Sequence, residues 1–222
     1  MSTHSPRTNS WVVFDLGGVL IRIHHSWKAA VAANVTVAAA QDTTPHPALD
    51  IQHHHAREFG KLVSDQQCGL LSHDDFCKRM SELTTGLVSP ANVSRIHASI
   101  IVGVYEGVEQ LLHDLHMQGV STACLSNTNQ HHWEIMSHIP AFAAIQHRHA
   151  SHVFQLEKPN PAIFQAFERA TQARPMDILY FDDLAPNIHV AIQVGWRAIL
   201  IDPQSETVPQ IRRALVTHGV LP

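Results

Sequence analysis

The stretch Trp11–Val19, WVVFDLGGV, decides how the chain is read. Four apolar residues run into Asp15, the pattern of a buried strand that ends in an acid. Leu16-Gly17-Gly18 follows, and the paired glycines let the backbone turn sharply and approach whatever Asp15 faces. In an open parallel sheet, ligands bind just beyond the carboxyl ends of the strands. A carboxylate at that edge suits a nucleophile or a ligand for a hard cation. The same residues also fit a plain hydrophobic strand followed by a helix-starting Asp, so the rest of the chain has to separate the two readings.

Beyond Glu106 the chain alternates between helical and strand-like patterns. Helices are expected over Glu106–Gln118, Pro161–Thr171, Pro186–Val194 and about Thr207–Thr217. Strands are expected over Val120–Leu125, Ala144–Ser151, Asp177–Phe181 and Arg197–Ile201. Repeated β-α units with short loops mean a parallel sheet with helices on both faces. The ends of the first, second and fourth strands carry Asp15, Ser126 and Asp182-Asp183, and Lys158 follows the third in an EKPNP turn. All four are expected to converge on one edge.

That inventory has a chemistry. Carboxylates in a group hold Mg²⁺, which takes oxygen ligands. A Ser hydroxyl donates to an anionic oxygen, and a Lys supplies a point charge for phosphate. Asp15 is then free to attack phosphorus in line and form an aspartyl-phosphate, with cation and Lys158 neutralising the charge that develops.

Between the first strand and Glu106 the pattern is helical. Helices are expected over Ser26 to about Ala40, Ala48–Asp65, Ser72 to about Thr84, and Pro90 to about Val102, with a proline-containing break at Gln41–Pro47. Ser72 reads as an N-cap with Asp74 and Asp75 in the first turn. The expected division is a core of residues 8–23 and 105–222, with a helical cap of residues 24–104 inserted between.

Taken in order, FDLGGV at Asp15, LSN at Ser126, EKPNP at Lys158 and FDD at Asp182-Asp183 resemble the four motifs of the haloacid dehalogenase superfamily, in its phosphohydrolase branch. Singly each motif is weak: LSN fits any strand end, KP a turn, DD a helix N-cap. Together, ordered and at strand ends, they are specific. The resemblance runs from about residue 10 to near the end of the chain. It implies a Rossmann-like α/β core with an α-helical cap of the first class. It implies Asp15 as nucleophile and metal ligand, the carbonyl of Gly17 as a further ligand, and Asp183 with Asp182 as the acidic metal pair. Ser126 and Lys158 would orient the phosphate. Asn187 sits where the family often has a supporting Asp or Asn. Asn127, Gly18 and, from the cap, Arg57 are the expected substrate contacts. Trp27 and the His53–His55 run are further candidates for the inner face of the cap, although Trp27 reads more simply as packing within it.

One departure matters. Most family phosphatases have a second Asp two residues after the nucleophile, and here that position is Gly17. Proton transfer of this kind contributes about 10²–10⁴ in rate. The substrate's leaving group then needs little protonation, or another group supplies the proton, or the protein binds phosphate without turning it over. His24 and His25 lie just past the strand, as solvated hinge residues or near the leaving group. The family's other chemistry is carbon–halogen hydrolysis, whose enzymes also lack the second Asp but usually lack the acidic pair too. Adjacent carboxylates need a cation beside them, so Asp182-Asp183 favours a phosphomonoester, such as a sugar phosphate, over a halide.

Composition sets the outer bounds. The 222 residues are 45% hydrophobic and 15% charged with a formal net charge of −4, which suits a globular protein and gives no nucleic-acid footprint. Cys68, Cys77 and Cys124 form no CxxC pair, the leading residues MSTHSPRTNS lack an apolar core, and no run reaches the length of a membrane span. The expectation is a cytoplasmic monomer or dimer acting on a small phosphorylated metabolite, with Mg²⁺ and without membrane or nucleic acid. There are 19 histidines. His53–His55 would point in different directions on a helix, His113 and His116 share a helix face, and His147 and His149 alternate on a strand. Such pairs can take up zinc or nickel adventitiously, but they read as solvated or hydrogen-bonded surface histidines, and no Cys at ligand spacing supports a dedicated transition-metal site.

Overall fold

The computed structural model describes residues 11–34 and 51–222, apart from the side chains of Gln52 and His53. The first residues of the expected core, the end of the first helix to Ala40, the Gln41–Pro47 break and the helix start at Ala48 lie outside the described residues. The chain begins with β1 (Trp11–Phe14), β2 (Ile21–Ile23), α1 (Trp27–Asn34), α2 (Ile51–His54), α3 (Ala56–Gln67), α4 (His73–Leu83) and α5 (Pro90–Ala98). Next come β3 (Ile101–Val104), α6 (Val108–Met117), β4 (Ser121–Ser126), α7 (Gln130–Ser137), α8 (Pro140–Ala143), β5 (His147–Ala150) and α9 (Ser151–Phe154). The last are α10 (Pro161–Thr171), β6 (Ile178–Asp182), α11 (Ala185–Gln193), β7 (Arg197–Leu200) and α12 (Thr207–Thr217).

The main sheet has the order β5-β4-β1-β6-β7, and its neighbours all pair in parallel. This is the expected Rossmann-like α/β core. Strand alternation builds a hydrophobic layer on each face. Val12 and Phe14 of β1, with Leu179 and Phe181 of β6, pack under α6 and α12 through Leu111, Leu115, Ile211 and Leu215. Val13, Ile178 and Tyr180 point the other way, against Ile163, Phe164 and Phe167 of α10 and Ala191 of α11. The chain leaves β1 for β4 and β5, then crosses back to β6 on the opposite side. The crevice therefore opens where β4, β1 and β6 end, at the topological switch point.

Helix starts follow capping chemistry. Ser72 accepts from the Asp75 amide at 3.1 Å, and Ser89 and Asn160 cap α5 and α10, each with proline at the first helical position. Between β2 and β3 the described helices α1–α5 share a hydrophobic cluster of their own that includes Trp27, Phe76, Met80 and Val93.

Two expectations in this region need correcting. The helix from Pro90 ends at Ala98 rather than near Val102. The β-branched run Ile100–Val104 instead supplies β3, which pairs antiparallel with β2. Residues 101–104, placed in the cap by sequence, are thus one side of a two-stranded ribbon. The helix expected over Ala48–Asp65 is interrupted at His55, whose φ of −126° and ψ of 35° are not helical, and its second half runs on to Gln67. Helices α7 and α8 were not anticipated, because Gln130–Ser137 carries no continuous apolar stripe.

Met80 is fully buried at the centre of the helical cluster. Met80→Ala is expected to lower unfolding free energy by about 2–5 kcal/mol, read from urea denaturation, because the cavity can close only in part.

Candidate active site

The sheet's alternation delivers the charged groups. Asp15 is the residue after β1, and its amide donates to the Phe181 carbonyl at 2.8 Å, which continues the β1–β6 pairing to the edge. Asp182 ends β6 on the same face as Tyr180, two residues before it. Lys158 enters from the loop before α10. Its ammonium lies 3.0 Å from Asp15 Oδ1 and 2.7 Å from Asp182 Oδ2, and it donates to the Tyr180 hydroxyl at 2.8 Å. The Tyr180 hydroxyl in turn donates to Asp182 Oδ2. The backbone of Lys158 is held by Asn127: the Asn127 side chain donates to the Lys158 carbonyl and accepts from its amide, both at 2.8 Å.

The two acids of the fourth motif have different surroundings. Asp182 is fully buried and accepts from Lys158, Tyr180, the Leu184 amide and the Asn187 side chain. Asp183 lines the cavity, with His25 Nδ1 at 3.9 Å from its Oδ2. Asp15, Asp182 and Asp183 bring carboxylate oxygens within 4.8 Å of one another, so this group can hold a cation. Asp15 Oδ1 is buried and, although close to Lys158, is poorly aligned for a hydrogen bond. Three carboxylates against one ammonium leave negative charge in excess, which fits a hard divalent ion.

The protonation behaviour follows from that excess. Burial, offset in part by Lys158 and reinforced by Asp182 and Asp183, pushes Asp15 up to about 7. Burial and Asp182 push Asp183 up to about 6. For Lys158, burial favours the neutral form, but Asp15 and Asp182 outweigh it and raise its pKa.

A cavity of about 380 Å³ opens over these groups. Asp15, Gly17, Ser126, Asn127, Lys158, Asp183 and Asn187 form its floor. Trp27, Phe59, Val63 and Phe76 from the helical insertion contribute an apolar wall, and Gln66, His97 and His132 add polar groups. Trp27 both packs within the insertion and borders the cavity. His24 and His25 line it as well.

Arg57 does not join this site. It is exposed and absent from the cavity wall, because α3 turns the face bearing Phe59, Val63 and Gln66 inward and position 57 falls on the other side. Gly18 lies beneath the site with φ of +75°, and a Cβ there would overlap the Asp183 carboxylate. A Cβ on Gly17 would meet Ile23 Cδ1 at 2.8 Å, so an Ile side chain occupies the room that an acid at position 17 would need. Sequence reasoning missed His97 and His132, whose signal is absent from local spacing because α5 and α7 meet only in the fold.

The family model of the haloacid dehalogenase-like hydrolases matches residues 10–195, and the chain belongs to that family of hydrolases. The fold is similar to a family enzyme from Bacteroides thetaiotaomicron (TM-score 0.75, 19% identity, 93% of this chain and 100% of that one). A structure of that enzyme in complex with magnesium and inorganic phosphate gives a TM-score of 0.72 at 20% identity over 92% of this chain and 100% of that one. The L-2-haloacid dehalogenase of Xanthobacter autotrophicus with covalently bound chloropropionic acid gives 0.61 at 15% identity, over 97% of this chain and 85% of that one. Among the described residues no helix is long and apolar enough to cross a membrane.

The raised carboxyl pKa values give a testable sign. A carboxyl that holds its proton more tightly folded than unfolded lowers stability as pH rises, here across the window from 3.8 to about 7 for Asp15. Metal-free protein is therefore expected to lose thermal stability from this site between those pH values. Mg²⁺ should restore it at pH 8 but add little at pH 5. In Asp15→Asn the pH dependence should flatten, as read from melting curves at the two pH values with and without Mg²⁺.

Proposed function

We propose that the protein is a Mg²⁺-dependent phosphatase of a small phosphomonoester, working through an aspartyl-phosphate on Asp15. The observation that carries this reading is the excess of buried carboxylate over cation at Asp15, Asp182 and Asp183, with one Lys among them. A site for halide displacement has no use for that excess, whereas a divalent ion and a phosphate dianion complete it. Asp15, Asp183 and the Gly17 carbonyl would hold the magnesium. Asp182 serves chiefly to anchor Lys158, since its oxygens are already engaged. Held there, the ion would favour the ionised form of Asp15 and would polarise the phosphoryl oxygens.

The residues of the chain divide the remaining work. An Asp15 oxygen attacks phosphorus, the bond to the leaving oxygen breaks, and the phosphoryl group passes to the carboxylate. Lys158 and the Ser126 hydroxyl orient the equatorial oxygens and offset their charge. Water then attacks the aspartyl-phosphate at phosphorus, releasing inorganic phosphate and restoring Asp15. Asn127 acts as a positioning residue through the Lys158 backbone. The helices α1–α5 between β2 and β3 act as the cap, and their Trp27, Phe59 and Phe76 line the cavity with apolar surface.

Phosphate release with Mg²⁺ over a panel of sugar phosphates, nucleotides and p-nitrophenyl phosphate tests the reading. Turnover should require the metal and fall by roughly 10³-fold or more in Asp15→Asn. Metal-independent halide release from a 2-haloacid would assign dehalogenase chemistry instead. Phosphate binding by calorimetry without turnover of any substrate would leave a binding protein.

With Ile23 filling the space beside Gly17, departure of the leaving group has little help from a proton. Rates are expected to fall steeply from aryl to alkyl phosphates. Gly17→Asp combined with Ile23→Ala should raise alkyl phosphate turnover by about 10²-fold while changing p-nitrophenyl phosphate little. Gly17→Asp alone should gain less, because the new side chain meets Ile23.

A further inference from the structure

Away from the acidic group, four histidines from three separate helices meet where the helical insertion rests on the core. His73 comes from α4, His97 from α5, and His131 and His132 from α7. Their rings form a stack: His73 and His131 have centroids 3.7 Å apart, His73 and His97 5.5 Å, and His97 and His132 4.1 Å. His132 is fully engaged, since its Nε2 bonds the His97 carbonyl at 2.8 Å and its Nδ1 faces Asn129 at 3.3 Å. His73 is engaged through Ser94 at 2.9 Å and Gln66 at 3.4 Å.

The other two rings are not satisfied. His97 is only 5% exposed, and its Nδ1 is buried without a hydrogen-bond partner; the same is true of His131 Nε2. A buried polar atom without a partner costs about 1–3 kcal/mol, and two in one cluster of imidazoles call for a shared ligand. His73, His97 and His131 each have a ring nitrogen within 4.8 Å of the other two, and His73 would exchange its contact to Ser94 or Gln66 for the ligand. We propose that His73, His97 and His131 form a second metal site, for a borderline transition ion such as Zn²⁺, that joins the insertion to the core.

The donor set selects the ion. Imidazole suits Zn²⁺ and its neighbours, whereas Mg²⁺ takes oxygen. Zn–N distances near 2.0–2.1 Å put ligand nitrogens about 3.3 Å apart in a tetrahedron, so the cluster has to close by at most about 1.5 Å. The rings lie within 15° (His73–His131) and 23° (His73–His97) of parallel, so closure comes through rotation of the imidazoles toward a common point. Burial already favours the neutral, ligating form of all three rings. Cys77 Sγ, one turn along α4, lies 3.5 Å from His73 Nε2 but outside the group of mutually close donors, and burial pushes its thiol up to about 11, so the three imidazoles are the protein's ligands. With two ligands from the insertion and one from α7, the ion would clamp the wall of the cavity that His97 borders. The inference is independent of which reaction Asp15 performs.

Untagged protein incubated with Zn²⁺, then dialysed against excess Mg²⁺, tests it by elemental analysis and melting curves. One equivalent of zinc should remain. At a free zinc concentration about 100-fold above Kd, the melting temperature should rise by about 5–10 °C. Zinc should be lost in His131→Ala and in His97→Gln, and kept in Asp183→Asn. Retention of no zinc, or of zinc that survives both histidine substitutions, would overturn the proposal. Should either variant fail to fold, Co²⁺ on the unaltered protein decides. Intense visible absorption of a low-coordinate nitrogen site that persists in Asp183→Asn supports the site. The weak spectrum of an octahedral oxygen site overturns it.

Discussion

A lysine ammonium buried between two carboxylates and a phenol is the contact around which the remainder is arranged. Lys158 lies 3.0 Å from Asp15 and 2.7 Å from Asp182, inside a region where every one of these groups is taken from water. Removing the lysine would strand buried carboxylates, and stranded buried charges are far costlier than the net worth of the pair. The parallel pairing of β1 and β6 brings the two acids to one edge, Asn127 holds the lysine's main chain, and Asn187 occupies the remaining lone pairs of Asp182. Electrostatics at the edge and hydrogen bonding in the sheet are therefore one construction.

The neighbourhood of Gly17 shows how the same framework changes chemistry with few atoms. The backbone at that position is ordinary, and what distinguishes it is the Ile23 side chain reaching back from β2 into the volume beside it. An apolar group thus stands where a proton donor would sit, continuous with the aromatic wall formed by Trp27, Phe59 and Phe76. The floor of the cavity is charged and its wall is not, so the reacting end of a ligand and its remainder meet opposite environments.

Much of the fold was legible because burial imposes its period on the sequence. The reading of Pro161–Thr171 matches the structure to the residue, since a proline starts it and Ile163, Phe164 and Phe167 mark its buried face, and the approximate reading of the last helix matches Thr207–Thr217. The ribbon was not legible. Ile100–Val104 continues the hydrophobicity of α5, and only pairing with Ile21–Ile23, some eighty residues earlier, makes it a strand. Helix α7 was missed because its histidines and glutamine hide the few buried positions. At the site, Asp15, Lys158 and Asp182 could be anticipated to meet because strand ends share an edge. The differing surroundings of Asp182 and Asp183 could not be read, since adjacent acids on a strand end look alike until Tyr180 and Asn187 are folded against one of them. The histidine stack depends on helices brought together only by tertiary packing.

The β2–β3 ribbon has a consequence for how such a chain can vary. Ile21 faces Val104, Arg22 faces Gly103, and the His24 amide donates to the Ile100 carbonyl at 3.0 Å. The path out of the sheet and the path back thus run side by side as hydrogen-bonded neighbours. The described helices between them are entered and left through a doorway two strands wide. The insertion's length, helix count and shape can be rewritten, or shortened to a turn, without altering the order in which the parallel strands are visited.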